Sequence, residues 1–488
     1  MTAAFDTVLV ANRGEIALRV VRACRDLGLQ SVAVYSEADA RSPHVLFADR
    51  AVAIGPTQVS DSYLDPERIL GAARTAGAQA VHPGYGFLSE NADFAQACRD
   101  AGLTFVGPPP AAIRAMGEKV RARERMAAAG VPIVPGSGAL AEDDRGEAAA
   151  AQIGYPVVVK ASSGGGGMGM RVVRGPDGLA AAVAACRRTA AVAFGDPTVF
   201  LERYVDEPRH VEIQVLADRD GRTVHLGERE CSIQRRHQKI LEESPSTVCS
   251  AELRERMGRA AVQAARAVGY VNAGTVEFIV SHGDFYFLEM NTRLQVEHPV
   301  TELTYGVDLV ALQLRIAQGE PLPFAQRGLR PRGWTIECRV NAEVPWRGFL
   351  PNPGRVRAYH EPQGPGVRID SGLIGPGEVS SAYDPLLAKL IVHGADRSEA
   401  IQRARRALLE FWVDGITTTI PYHAVLLADP DFVEGRLSTA FIEQHPGLAA
   451  RAEAWAASQR AHLEGQWPDP RLPLAAAAAA VAADDERA

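Results

Sequence analysis

The chain has 488 residues, 47% of them hydrophobic and 23% charged, with a formal net charge of −7. This is the composition of an ordinary globular protein with room for about three domains, and the absence of any long basic run sets aside nucleic acid and anionic membrane surfaces as partners. The cysteines (Cys24, Cys98, Cys186, Cys231, Cys249 and Cys338) are scattered with no Cys-x-x-Cys pair, which points to reduced thiols in a cytoplasmic protein, and no apolar stretch has the length and hydrophobicity of a membrane span.

The N-terminal part alternates strands and helices. Strands are read at Thr7 to Ala11, Ser31 to Tyr35, Gln79 to His82 and Leu103 to Val106, and helices at Glu15 to Leu27, Pro66 to Thr75 and Asn91 to Ala101. Such a βαβ succession predicts a parallel sheet covered on both faces. The first βα turn reads ANRGEI rather than Gly-x-Gly-x-x-Gly, so dinucleotide binding is poorly supported.

A second region opens near Ala111 with a helix at Lys119 to Ala129, followed by YPVVVKASSGGGGMGMRVV over residues 155–173. Two strands there flank the run Gly164 to Gly167. A glycine run lets backbone N–H groups approach phosphate oxygens without Cβ obstruction, and Lys160 on the entering strand adds a point charge. No Gly-Lys-Ser/Thr follows, so this is no Walker loop; it reads either as a lid or as a plain connection. Further strands, TVFLERYV, RHVEIQVLAD and TVHLGEREC, carry charged alternation. Arg235, Arg236, His237 and Lys239 then cluster in SIQRRHQKILEESP, as a solvated face or as phosphate ligands, and Ala251 to Val268 forms a helix.

Between Asn272 and Pro299 the sequence reads NAGTVEFIVSHGDFYFLEMNTRLQVEHP, a β-hairpin pattern. Centring its turn on Gly283 pairs Phe278 with Leu288, Val280 with Tyr286 and Glu277 with Glu289. Two carboxylates directly opposed at about 5 Å repel by roughly 3 kcal/mol at an effective dielectric near 20. A divalent cation would turn that cost into attraction. The same parity continues through Asn291, Arg293, Gln295 and Glu297, so an extended chain would gather oxygen ligands for Mg²⁺, an amide, a guanidinium and a third carboxylate on one face. The alternative is a solvated polar face.

The third region begins near Arg332. WTIECRVNAE alternates so that Thr335, Glu337, Arg339 and Asn341 share one strand face; a strand at Leu386 to Val392 and a helix at Ser398 to Phe411 follow. Beyond Gly447 the chain turns Ala-rich and reads as frayed helix or an interaction segment.

Eight strings in order, ANRGEIALR, HPGYGFLSEN, KASSGGGGMGM, PRHVEIQVLAD, RECSIQRRHQK, FLEMNTRLQVEHPVTE, GVDL and ECRVNAE, resemble the biotin carboxylase family, the ATP-grasp component of biotin-dependent acyl-CoA carboxylases. The resemblance implies an α/β chain, α+β in part. A Rossmann-like domain would span 1–115, an ATP-grasp domain 116–330 with its glycine-rich lid near 135–203, a mixed α/β domain 331–446, and an Ala-rich tail 447–488. It implies ATP on Lys119, Lys160, Gly166, Gly167, Glu202, Arg203, Tyr204, Val205, His210, Gln234 and His237. It puts Mg²⁺ or Mn²⁺ on Glu277, Glu289 and Asn291, and bicarbonate on Lys239, Arg293, Gln295 and the Val296 backbone. Glu297 would be the general base, with Lys239 and Arg293 in the catalytic set, and Arg339 the partner of the biotin ureido oxygen.

The implied reaction is ATP-dependent carboxylation of biotin by bicarbonate through carboxyphosphate. Biotin would arrive on a separate carrier protein, because none of the chain's methionines is followed by the lysine of a biotin-accepting site. A carboxyltransferase completes the implied assembly, and a homodimer with Arg19 at its interface is implied as well. Met168 stands where family members often carry Arg or Lys, and Val344 where Asp is common. Two other readings use the same hairpin: an ATP-grasp ligase with a non-biotin acceptor, which would not need Arg339, and a non-catalytic nucleotide sensor, which would not need Glu277, Glu289, Arg293 and Glu297 together.

Overall fold

The computed structural model describes residues 5–163 and 170–466. Gly166, Gly167 and Met168 therefore lie outside the described residues, as does the chain beyond 466. The N-terminal alternation forms a five-stranded parallel sheet in the order Arg50–Gly55, Gln30–Ser36, Thr7–Val10, Ala80–His82, Thr104–Phe105. The strand order reverses between Thr7–Val10 and Ala80–His82, and the crevice at such a switch point is where α/β sheets present functional loops. Here Asn12 ties the two loops together by donating to the carbonyls of Pro83 and Tyr85, both at 2.7 Å.

Strands Arg171–Val173, Val157–Ala161 and Val199–Arg203 form a small antiparallel sheet, so the glycine run joins two paired strands as expected. Its core is Val157, Val159, Val173 and Leu201 against Val183 and Cys186 of the helix Leu179–Phe194.

An eight-stranded sheet holds the rest, in the order Asp284–Asn291, Asn272–Ser281, Arg209–Ala217, Thr223–Arg235, Gln238–Ser244, Trp334–Asn341, Leu386–Gly394, Val367–Ser371. The second and third regions thus share one hydrogen-bonded sheet, joined where Gln238–Ser244 pairs with Trp334–Asn341. Strand periodicity sorts its two faces. Val211, Ile213, Val215, Val276, Phe278 and Val280 pack on Leu253, Met257, Ala261 and Ala264 of the helix Ala251–Ala267. The intervening residues His210, Glu212, Thr275 and Glu277 point to the opposite face, where the polar site is built.

The hairpin register differs from the sequence reading in an instructive way. His282 and Gly283 alone make the turn, both with positive φ (48° and 84°), and Ser281 pairs with Asp284. Phe278 consequently faces Phe287 rather than Leu288, and Val280 faces Phe285 rather than Tyr286. A bulge then places Leu288 as an extra residue, and Glu277 is brought opposite Glu289. The extended stretch ends at Asn291, so the expected common face does not continue to Glu297; residues 292–297 form an irregular turn leading into the helix His298–Tyr305.

The first part of the Ala-rich segment is an ordered helix, Gly447–Gln466. Leu448 and Ala452 are buried, Trp455 packs beside them, and Arg451 donates to Asp429 at 2.8 Å. This i, i+4, i+7 stripe is what fixes a helix that composition alone suggests should fray.

Candidate active site

Four neighbouring strands place Glu289, Glu277, Glu212 and Arg229 in one row, each the register partner of the next. Three carboxylates abreast require cations, and the chain supplies them. Arg229 is fully buried; it donates from Nε to Glu212 at 2.5 Å, and its remaining nitrogens reach Gln214, Thr301 and Thr275. Lys239, from the hairpin next to Thr223–Arg235, reaches over the row and donates to Glu212 at 2.6 Å, Glu277 at 3.1 Å and Glu297 at 2.6 Å. All three protons of the ammonium are thereby used. Burial opposes its charge, but the surrounding Cys231, Glu212, Glu277 and Glu297 hold the Lys239 pKa well above the ordinary lysine value.

Glu297 is buried and serves two cations. Its Oε1 faces Lys239, and its Oε2 accepts from Arg339 at 2.9 Å. Burial alone would raise its pKa; Lys239, Arg339 and Arg229 outweigh that and hold it well below the usual carboxylate range. It stands ionised in a closed environment. Arg339 in turn donates from Nε to Glu242 at 2.6 Å. Its main-chain carbonyl lies where the ladder to Gln238–Ser244 has ended, and the side chains of Thr419 (2.7 Å) and His423 (2.8 Å) satisfy it instead.

The loop carrying Arg293 and Gln295 is fixed by the turn that follows strand Ala80–His82 of the N-terminal sheet. Glu90 accepts from Arg293 Nε at 2.8 Å and from the Thr292 backbone at 2.9 Å. Arg293 also donates to Gln295 Oε1 at 3.2 Å and Asn291 Oδ1 at 3.0 Å. The buried Gln295 Nε2 has no partner, an unused donor beside a guanidinium that suits a small oxyanion. The Val296 carbonyl accepts from the buried Lys389 at 2.8 Å, which also pairs with Glu15 at 3.1 Å. Glu15 is bonded to Tyr85 from the switch-point loop.

The proposed metal donors have a suitable chemistry. Glu277 accepts from Asn291 at 2.7 Å and lies 2.9 Å from His210 Nε2, and burial is overcome by Lys239 and His210 to keep it ionised. Among the described residues Glu289 forms an ion pair with Lys119 alone, at 3.7 Å, and burial followed by the Glu277 charge pushes its pKa up. Two carboxylates and an amide oxygen are hard donors, and the repulsion that Glu277 still exerts on Glu289 is what a divalent cation would relieve.

Lys160 pairs with Glu202, which also pairs with Arg123, so the strand entering the glycine run is bound to Val199–Arg203 by charge as well as by backbone. The Arg203 backbone N–H donates to the Pro135 carbonyl and that of Tyr204 to the Pro156 carbonyl, and the half-buried Val205 follows just beyond the strand. The Arg236–His237 turn, both residues at positive φ, exposes His237 at the tip of a hairpin, while Gln234 is buried opposite Lys239. The basic cluster is therefore split: Lys239 turns inward and Arg236 and His237 outward. Arg19 lies elsewhere, bonded to Glu302 at 2.9 Å and Asp308 at 2.6 Å beside a surface cleft of about 560 Å³.

Sequence reading missed Glu90, Glu212, Arg229, Glu242, Thr419 and His423. The charged alternation of RHVEIQVLAD was the available signal for Glu212; the last two come from a segment with no motif.

Residues 4–113 match the biotin carboxylase N-terminal domain, 118–325 the ATP-binding domain of the carbamoyl-phosphate synthase L chain, and 337–444 the biotin carboxylase C-terminal domain. The chain is 53% identical to a pyruvate carboxylase subunit of Methanothermobacter thermautotrophicus over 442 residues, 90% of each chain. It is 52% identical to biotin carboxylase 1 of Bacillus subtilis over 441 residues, covering 90% of this chain and 98% of the relative. Among solved structures, a Campylobacter jejuni biotin carboxylase complex with β,γ-ATP superposes with a TM-score of 0.88 at 43% identity, covering 90% of this chain and 99% of that one. The biotin carboxylase domain dimer of Hydrogenobacter thermophilus 2-oxoglutarate carboxylase, with MgADP, ADP and bicarbonate, gives 0.87 at 47% identity, covering 91% and 99%. By this extent of likeness in sequence and fold, the chain belongs to the biotin carboxylase family, enzymes that use ATP to carboxylate biotin.

Proposed function

We propose that Glu297 is the general base of the reaction and that Lys239, Arg293 and Gln295, with the Val296 backbone, hold bicarbonate beside it. The observation that carries this reading is the double engagement of Glu297 by Lys239 and Arg339. A base that removes the bicarbonate proton lets the bicarbonate oxygen attack the γ-phosphorus of ATP. The bond to the ADP oxygen breaks, and carboxyphosphate forms. Lys119, Lys160, the Gly166–Gly167 backbone, Glu202 to Val205, His210, Gln234 and His237 are proposed to bind ATP. Glu277, Glu289 and Asn291 would hold Mg²⁺ or Mn²⁺, which when bound neutralises charge on the transferring phosphoryl group.

Arg339 is proposed to face the ureido oxygen of biotin, where a guanidinium stabilises the enolate formed when N1′ loses its proton. Biotin would be presented by a separate carrier protein, with a carboxyltransferase as the second partner, in a cytoplasmic assembly built on a homodimer with Arg19 at its interface. No helix among the described residues is long and apolar enough to cross a membrane. The direct test is transfer of labelled bicarbonate to free biotin: ATP-dependent label in biotin supports the proposal, and ATP cleavage without any label transfer contradicts it.

A further inference from the structure

Glu242 and Glu337 are register partners on adjacent strands, directly opposed and both fully buried. Glu242 Oε1 accepts from Arg339 Nε at 2.6 Å, but its Oε2 has no partner, and neither oxygen of Glu337 has one. Two buried carboxylates facing each other on a ladder repel, and with Arg339 bonded to Glu242 and not to Glu337 the pair is relieved when one of them keeps a proton. Burial pushes Glu242 up to about 7 and Glu337 well above the ordinary value, so Glu337 is the one that keeps a proton. A neutral carboxyl has one O–H to donate, and the idle Glu242 Oε2 on the opposing strand is an acceptor available to it. One proton thus matches Glu242 Oε2 to one of the two Glu337 oxygens and leaves Glu242 as the carboxylate that grips Arg339.

Arg339 is therefore bracketed by two carboxylates with different tasks. Glu297 holds one terminal nitrogen at 2.9 Å, and it is the group that loses its charge when it takes a proton from bicarbonate. At that moment the bond to Arg339 stops being an ion pair and weakens. Glu242 sits behind the guanidinium, away from solvent. We propose that Glu242 is a positioning residue, the fixed anchor that keeps Arg339 aimed at biotin while Glu297 changes charge, with Glu337 as its neutral supporting neighbour. Glu242 grips Nε together with the terminal nitrogen that Glu297 also holds, so the anchor sets the direction of the fork and leaves its other terminal nitrogen to meet a ureido oxygen. This rests on the reading of Arg339 as the biotin-facing residue.

Steady-state kinetics of the full chain with free biotin, ATP and bicarbonate tests the anchor. Glu242→Gln keeps the side-chain size but removes the charge-assisted bond, and should raise KM for biotin about tenfold or more while KM for ATP stays within about twofold. Glu337→Gln, an uncharged stand-in for the protonated acid, should leave both within about twofold. Should Glu242→Gln fail to fold, Glu242→Asp, which keeps the charge at shorter reach, should show the same selective rise in smaller measure. An unchanged KM for biotin in the Glu242 variants overturns the anchor, and so does an equal rise of both KM values. An equal biotin-specific defect in Glu337→Gln overturns the neutral role of that residue. Arg339→Ala separates the two levels of the argument. If it retains biotin-coupled turnover, the underlying reading of Arg339 fails; if it loses coupling while Glu242→Gln does not, only the anchor fails.

Discussion

Glu297 lends one carboxylate oxygen to Lys239 at 2.6 Å and the other to Arg339 at 2.9 Å, so a single side chain spans the two halves of the site. Lys239 leads through Glu277 to His210, Asn291 and the row of carboxylates, and Arg339 leads to Glu242 and the third region of the chain. Any change of charge on Glu297 is felt on both sides at once.

The two sides should nevertheless separate on mutation. Glu297→Gln is expected to lower ATP cleavage by about 10²- to 10⁴-fold, with or without biotin, because proton removal from bicarbonate is lost. Arg339→Ala is expected to keep bicarbonate-dependent ATP cleavage and to lose its coupling to biotin. Initial-rate assays of ADP formation and biotin carboxylation on both variants decide this. Equal loss of both activities in both variants would contradict the division of roles.

The opposed pair Glu277 and Glu289 should govern the metal requirement. Glu277→Gln and Glu289→Gln are each expected to raise the Mg²⁺ concentration needed for half-maximal rate and to remove most turnover. Rate measured against Mg²⁺ at fixed ATP reads the effect; a curve superimposable on the parent's for both variants would count against a cation between these strands.

Stability should report the proton on Glu337. Burial raises its pKa well above the ordinary 4.5. Below that ordinary value both folded and unfolded chains carry the proton. Above it the unfolded chain releases the proton and the folded chain keeps it, so this group's contribution to stability falls as pH rises toward the folded pKa, by at most about 1.4 kcal/mol per pH unit. Glu337→Gln does not titrate. Its stability relative to the parent is therefore expected to increase between pH 5 and pH 8 in denaturant unfolding, and parallel pH profiles would show that Glu337 is not held protonated.

His423 is buried, and burial lowers its pKa to about 4, so it is neutral and must donate from Nε2 to the Arg339 carbonyl. His423→Phe leaves that carbonyl with Thr419 alone, and should cost about 1–3 kcal/mol of stability by denaturant unfolding. Thr419→Val should cost a comparable amount, since its hydroxyl also accepts from the Asn341 backbone at 3.0 Å.

Much of the site was legible because period-two patterning survives in long strands. Glu277 opposite Glu289 and Arg339 between Cys338 and Val340 could be read from alternation and a turn signal. The pairing within the hairpin could not, since a two-residue turn and a bulge shift it by one residue each in compensating directions. Arg293, Gln295 and Glu297 share a parity but not a strand; they are brought together by Glu90, Lys389 and Lys239, contacts more than fifty residues away in sequence that leave no local mark. The helix Gly447–Gln466 was obscured by its alanines, because only Leu448, Ala452 and Trp455 carry its packing.

The most direct measurement is ADP formation with ATP, Mg²⁺ and bicarbonate, compared with and without free biotin and with Arg339→Ala in parallel. The account predicts that biotin raises the parent rate, with one carboxybiotin formed for each additional ADP, and that Arg339→Ala shows the basal rate but no response to biotin. A parent rate indifferent to biotin, or a full biotin response in Arg339→Ala, would contradict it.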